Sequence, residues 1–506
     1  MKHIGYGHLI ELFGLSVRPL ARYAQTSTAV NRRKDTNDRI LFPFNVALTD
    51  TPIGHLEFAL RHEGVNLEVI DAVFDKIEPS ALIERLKLTP NSDPIRRACF
   101  LWEWMRKESL QTGITPTGGY IDLFPANQYA VASKPIKSPT YRINNNALGN
   151  ANFCPVVKIG TIANSANLEK LLRNVSSMFA SPNKSELYLR AIRYLYLSET
   201  RSSFAIEKEV PNSSKEERFV NLLMHAGEQE QVSEDWLVKL QNCVIKDVYS
   251  QEASYRRKQN WLEDGAGRIS FLPPAPDDLR PLMAGWEEFV NDRTKGIDLS
   301  IKAACAAFGF VYMHPFMDGN GRLHRFMIHH VLQQSGMLPS GIVLPVSASI
   351  EKEIPDYLNI LSGFSRPVTR MWEYRRADTG PLIISNPSGR PYRYFEADRE
   401  VEFIQRMIQA TILTEIPNEL RFLSGYDRAY EAINKAYDLP SPDISALIKM
   451  INGNQGQLSK GKRKQYAHFP DEVIAQLEAI VLDAFAEGTA SIDTNDDEHV
   501  PAHSRS

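Results

Sequence analysis

The sequence predicts a mainly α-helical protein: a helical bundle core carrying a β-hairpin, with helical regions on its N-terminal and C-terminal sides. Three observations point there. Apolar residues recur at helical spacing through most of the chain, as in Leu67, Ile70 and Phe74. Strand signals are few and short. The almost wholly apolar segment IDLSIKAACAAFGFVYM (297–313) reads as a helix buried in the core.

The chain has 506 residues, 43% apolar and 24% charged, enough for a large core and several domains. A net charge of −3 offers no general attraction to nucleic acid or to an anionic membrane, so neither is expected as a partner. No run of about eighteen apolar residues occurs, and the N-terminus MKHIGYGHLIELFGL is not signal-like. Cys99, Cys154, Cys243 and Cys305 lack C-x-x-C spacing and fit reduced thiols. The expectation is a cytoplasmic protein.

Taken in order, 55–110 shows helical periodicity, with Pro79 as a stop after Ile77 and then ACFLWEWM. Residues 112–163 are rich in turn formers and should be irregular. Together with NLEKLLRNVSSMF (167–179) they complete an N-terminal accessory region, 1–180. Helices follow in ELYLRAIRYLYLSETRSSFAIEKE (186–209) and, after Pro211, in EERFVNLLMH. SYRRKQNWL, the turn EDGAG and RISFL read as a β-hairpin over 254–272. In 297–313 the stripe Ile297, Ile301, Cys305, Phe308, Tyr312 should face the core, and RLHRFMIHHVLQQ starts a further helix after Gly321. The region 376–490 offers a hairpin around LIISNPSGRPYRYF, helices to about 450 and another near 470–486; the polar tail 491–506 should be disordered.

The chemistry concentrates in HPFMDGNGRLHR, 314–325. Gly319, Asn320 and Gly321 allow a close backbone approach at a helix start, whose free amides and positive dipole end suit phosphate. Arg322 and Arg325, three residues apart, can project from one face toward an extended polyphosphate. Positive charge at a helix N-terminus opposes the dipole, so a purely structural reason for the pair is weak. Asp318 suits Mg²⁺, which takes one or two carboxylates beside phosphate oxygens, and His314 can take a proton from a hydroxyl. A Walker-type loop is excluded because lysine and strand are missing; an EF-hand is excluded because Leu323 falls where its glycine should be. The remaining competitor is a plain turn between core helices with solvated arginines.

These residues match the HxFx[D/E]GNGRxxR signature of Fic-domain proteins at every specified position, and the chain resembles that family over about 185–375. The resemblance implies a mainly helical Fic-type bundle and transfer of AMP from ATP, with Mg²⁺, to a Ser, Thr or Tyr hydroxyl of a target protein, its own chain among the candidates. It implies His314 as base, Asp318 as metal ligand, Gly319 to Gly321 around the transferred phosphate, Arg322 and Arg325 on the outer phosphates, and Phe316 as anchor of the loop. The hairpin 254–272 resembles the family's target-presenting flap, with Arg257, Gln259, Asn260 and Trp261 placed to meet the target. Residues 199–209 resemble the [ST]xxxE[GN] inhibitory helix through Ser203 and Glu207, with a departure at Lys208, where Gly or Asn is usual. A glutamate reaching Arg325 would occupy the place of an outer phosphate.

Other activities stay open: a Fic-type kinase, AMP removal, or a non-catalytic ATP-sensing interaction protein. A homodimer is also open. His329 and His330 are adjacent and face different ways, which argues against a shared metal. The basic run from Lys460 to Lys464 reads as a solvated loop.

Overall fold

The computed structural model describes residues 2–162, 165–179, 186–228, 231–245, 251–339, 341–376 and 382–486; the tail 491–506 lies outside the described residues. The chain is mainly helical, with four small sheets among the described residues. No helix there is long and apolar enough to cross a membrane.

The N-terminal region holds strands as well as the expected helices. β1 (Lys2–His3), β2 (Tyr23–Ser27), β3 (Lys34–Asp35) and β4 (Arg39–Pro43) form a sheet of order β1-β2-β4-β3. β2 and β4 pair in parallel, Tyr23 opposite Arg39, while the outer pairs are antiparallel. α1 (Gly5–Phe13) lies against the sheet and α2 (Pro52–His62) reaches it through Phe58, while α3 (Leu67–Phe74), α4 (Pro79–Leu88) and α5 (Asp93–Arg106) pack on α1 and α2 and on one another. Pro79, expected as a stop, opens α4, where its missing N–H costs nothing.

Among the described residues, the stretch expected to be irregular contains only β5 (Ile121–Asp122), β6 (Ile136–Ser138), β7 (Ile143–Asn145) and a short 3-10 helix, Ile159–Ile162. The buried Arg96 ties it to α5, donating to the carbonyl oxygens of Tyr141 at 2.8 Å, Gly119 at 2.8 Å and Arg142 at 2.7 Å. A buried guanidinium thus satisfies carbonyl oxygens of this loop-rich stretch, that of Arg142 in addition to its bond from Ile121 N.

The central region contains α6 (Ser165–Phe179), α7 (Glu186–Ile206), α8 (Ser213–Met224), α9 (Glu234–Val244), β8 (Leu262–Glu263), β9 (Ile269–Phe271), α10 (Pro276–Asn291), α11 (Leu299–Met313), α12 (Asn320–Gln334), α13 (Val346–Lys352) and α14 (Ile354–Met371). α11 is buried on every side rather than along one stripe, because α10, α12 and α16 (Asp398–Ala410) surround it. Its start is set by Asp298, whose carboxylate accepts from the amides of Ser300 at 2.9 Å and Ile301 at 3.2 Å. Trp286, fully buried, donates to Ala306 O at 2.8 Å and pins α10 to α11. Residues of α6 and α16 share this core.

β10 (Tyr374–Arg376) pairs with β11 (Leu382–Ile384). The expected hairpin around LIISNPSGRPYRYF therefore shifts: LII pairs backward, and RPYR forms the short helix α15 (Arg390–Arg393) after Gly389. Arg390 and Arg106 both meet the buried Asp71, fastening the N-terminal region to the centre. α17 (Ile416–Ala436), reached through a π-helical turn, packs with α18 (Ser441–Asn452) and α20 (Asp471–Ala486) around a separate core, with the short α19 (Lys460–Arg463) at its surface. Within the basic run, Arg463 is held by Phe469 O at 2.7 Å and Asp471 at 2.7 Å.

Candidate active site

α11 ends at Met313, and His314 takes the left-handed C-cap position, φ 49° and ψ 59°, ahead of Pro315. Its Nδ1 lies 3.1 Å from Val311 O. A ring nitrogen facing a carbonyl oxygen must carry the proton, so Nε2 keeps its lone pair. The residue is only 9% exposed. Burial pushes the imidazole down to about 4, against the pull of the Val311 hydrogen bond and with help from the nearby Arg256 charge. His314 is a neutral acceptor at physiological pH.

The loop after it is locked by an amide. Asn320 donates from Nδ2 to Phe316 O at 2.8 Å and accepts from Phe316 N at 3.0 Å, while Gly319 supplies a positive φ of 87°. The side chain of Asn320 is thus committed to the loop, and the backbone is what faces a ligand. Phe316 is fully buried beneath it. Because α12 begins at Asn320, the first-turn amides have no intrahelical acceptor. Asp318 accepts from Gly319 N at 2.6 Å and Arg322 at 3.3 Å through Oδ1, and its side chain is 57% exposed. One outward carboxylate fits the coordination habit of Mg²⁺.

Both arginines are buried. Arg325 donates through Nε to Ser203 Oγ at 3.0 Å, and through one terminal nitrogen to Ser203 O at 2.7 Å and Glu207 Oε1 at 2.9 Å. Burial works to raise the Glu207 pKa, but Arg325, by charge and hydrogen bond, outweighs it and holds the carboxyl below its usual range. Glu207 stands directly over the loop: a Cβ added to Gly321 would come within 2.1 Å of its Oε1. A second carboxylate, not anticipated from the sequence, engages the other arginine. Glu209 Oε2 lies 3.0 Å from Arg322, which also donates to Val244 O at 3.1 Å and stacks over the Phe204 ring at 5.3 Å. Arg322 Nε and Arg325 NH1 are buried donors without a partner among the described residues. Such orphans suit a missing acceptor rich in oxygen.

The geometry at the end of α7 shows what Lys208 costs. α7 ends in a Schellman turn: Lys208 N donates to Ala205 O at 2.8 Å and Glu209 N to Phe204 O at 3.0 Å, with Lys208 left-handed at φ 59°. Gly and Asn tolerate that conformation; lysine pays ~1 kcal/mol for it. Lys208→Gly is expected to slow amide exchange at Lys208 and Glu209 about fivefold, corresponding to that ~1 kcal/mol. Unchanged exchange by mass spectrometry would refute the strain argument.

The hairpin is shorter than expected. Only Leu262–Glu263 pairs with Ile269–Phe271, while 254–261 leaves the ladder. The reason is side-chain anchoring: buried Arg256 donates to His314 O at 2.9 Å, and Asn260 to Phe316 O at 3.1 Å. Gln259 bonds Asn260 O at 2.9 Å and Pro273 O at 3.0 Å; Trp261 donates to Glu263 at 2.8 Å; Arg257 is exposed. Asn260 and Gln259 thus face inward, to the loop and hairpin base. His329 and His330 are buried, at Glu199 Oε1 (2.8 Å) and Ala226 O (2.7 Å) respectively. His8, Asp50 and His55 cluster elsewhere, but His55 Nδ1 accepts from Gly5 N at 3.1 Å, which leaves Nε2 protonated toward Asp50 and unavailable to a metal.

Fold and loop together define a helical protein with unpaired amides at a helix start next to a neutral histidine. Residues 231–332 match the Fic/DOC family. The chain is 30% identical over 135 residues to the protein adenylyltransferase fic-1 of Caenorhabditis briggsae, covering 26% of this chain and 25% of that protein. It is 26% identical over 201 residues to the protein adenylyltransferase Fic of Nematostella vectensis, covering 34% and 45%. The match thus spans less than half the length of either relative. A solved Fic domain containing signaling protein from Bacteroides thetaiotaomicron aligns at 16% identity and a TM-score of 0.37, covering 52% of this chain and 95% of that one. Residues 231–332 thus resemble the Fic/DOC family, and part of the chain is similar to Fic protein adenylyltransferases.

Proposed function

We propose that this protein transfers AMP from ATP to a hydroxyl of a target protein and is held back by Glu207. The observation that carries the reading is the pair of buried arginines at the open start of α12, one of them engaged by a carboxylate that overlies Gly321. In the reaction the target hydroxyl gives its proton to His314 Nε2 as its oxygen bonds to the α-phosphorus, and the bond from that phosphorus to the pyrophosphate oxygen breaks. The amides at 320–322 face the transferred phosphate; Arg322 and Arg325 hold the outer ones. Mg²⁺ beside Asp318 would offset the charge of the leaving pyrophosphate. Glu207 takes the place of an outer phosphate on Arg325, so ATP meets it as a competitor, and Glu209 does the same at Arg322.

The test incubates Glu207→Gly protein with ATP labelled at either the α or the γ phosphate, with the protein itself and a cell lysate as acceptors. Protein labelled from the α position alone is the expected result. Label arriving from γ would instead mean phosphate transfer and sink the reading.

A further inference from the structure

Between the hairpin and α14 runs a groove of about 1140 Å³, with His314 among its lining residues. Its charged lining consists of Asp264, Arg268, Arg366 and Arg370. The first two cancel internally: Asp264 accepts from Arg268 Nε at 2.9 Å and from the amides of Ala266 at 2.9 Å and Arg268 at 3.0 Å. Arg366 and Arg370 are different. They lie one turn apart on α14, both exposed, and neither has an ion pair or hydrogen bond among the described residues. Arg370 in the last turn complements the helix dipole, but Arg366 has no such role. In a chain of net charge −3, an uncompensated positive pair beside the proposed base is a local feature.

We propose that the acceptor hydroxyl is carried by an acidic protein segment that lies in this groove, with Asp or Glu side chains reaching Arg366 and Arg370. The proposal deepens the adenylyl-transfer reading above and rests on it. A segment extended along β9 advances about 3.3 Å per residue, so carboxylates two or three positions from the hydroxyl lie about 7–10 Å from it, along the groove that His314, Arg366 and Arg370 all line. Because both guanidiniums are solvent-exposed, they act through screened attraction and docking rate, which affects KM and leaves the chemical step alone.

The experiment uses the full chain with Glu207→Gly, α-labelled ATP and synthetic peptides carrying one central threonine. One peptide has Asp at the positions two and three residues away on each side; a second has Asn there and a third Lys. Expected is a kcat/KM about tenfold higher for the Asp peptide than for the Asn peptide, carried by KM and shrinking between about 50 and about 500 mM salt. Arg366→Glu with Arg370→Glu should turn the preference toward the Lys peptide while ATP binding, read by calorimetry, stays unchanged. Equal labelling of Asp and Asn peptides, or a preference untouched by the double substitution, overturns the proposal while leaving adenylyl transfer standing. If ATP binds but neither any peptide nor the enzyme itself is labelled, the adenylyl-transfer reading fails and the proposal with it.

Discussion

Glu207→Gly is expected to raise AMP incorporation into protein on the order of a hundredfold or more. Arg325 is completely buried and commits Nε and one terminal nitrogen to Ser203 and Glu207, so a bound triphosphate must displace a charge-assisted hydrogen bond before it can take up that donor. Loss of one well-aimed donor to a developing charge typically costs about 10²–10³ in rate, and the substitution restores one. The release should be incomplete. Arg322 remains engaged by Glu209, so adding Glu209→Ala should increase incorporation further, whereas a double variant no faster than the single would mean that Glu209 only caps α7. The measurement is the initial rate of α-label transfer at ATP concentrations well below KM, where a competing carboxylate weighs most.

His314→Asn should abolish transfer, by about 10²–10⁴, while ATP still binds. Asparagine suits this test better than alanine because His314 is left-handed at φ 49°, a conformation asparagine tolerates. The pH profile gives an independent readout. With the imidazole pushed down to about 4 by burial, the base is neutral through the whole neutral range, and activity should stay flat from pH 6 to 8 and fall only as pH drops toward about 4. The sign agrees with stability: a histidine whose folded pKa lies below its ordinary value favours the folded state above about 6.5 and loses that contribution as pH falls toward 4. An acid limb near 6.5 in single-turnover rates would contradict the buried, Val311-bonded ring.

The signature loop, the two helices that hold it and the approach of Glu207 to Arg325 were legible because each depends on residues a few positions apart or on a motif of fixed spacing. What was not legible depends on distant partners. β2 and β4 are five residues each and pair in parallel across an intervening strand, so neither announces itself locally. The strand expected over 254–262 fails at its start because Arg256 and Asn260 bond to backbone oxygens of His314 and Phe316, a choice made by a loop more than fifty residues away. The burial of α11 on all faces follows from α10, α12 and α16 closing around it, which periodicity within 297–313 cannot convey. Glu209 had one local signal, a second carboxylate two residues after Glu207, but only the Schellman turn swings it toward Arg322. That turn depends on the left-handed backbone at Lys208, φ 59°.

The contact between Glu207 and Arg325 also bears on how the chain survives without nucleotide. A guanidinium sealed in the core with no counter-charge is costly: breaking a fully buried pair loses about 3–5 kcal/mol, and the 36% exposure of the Glu207 side chain reduces that to ~1–2 kcal/mol. An empty pocket built only for a triphosphate would carry that cost from the moment of folding. On the proposed reading, Glu207 stands in for that anion, the protein can be assembled before a nucleotide arrives, and ATP on binding would replace a carboxylate rather than fill a void.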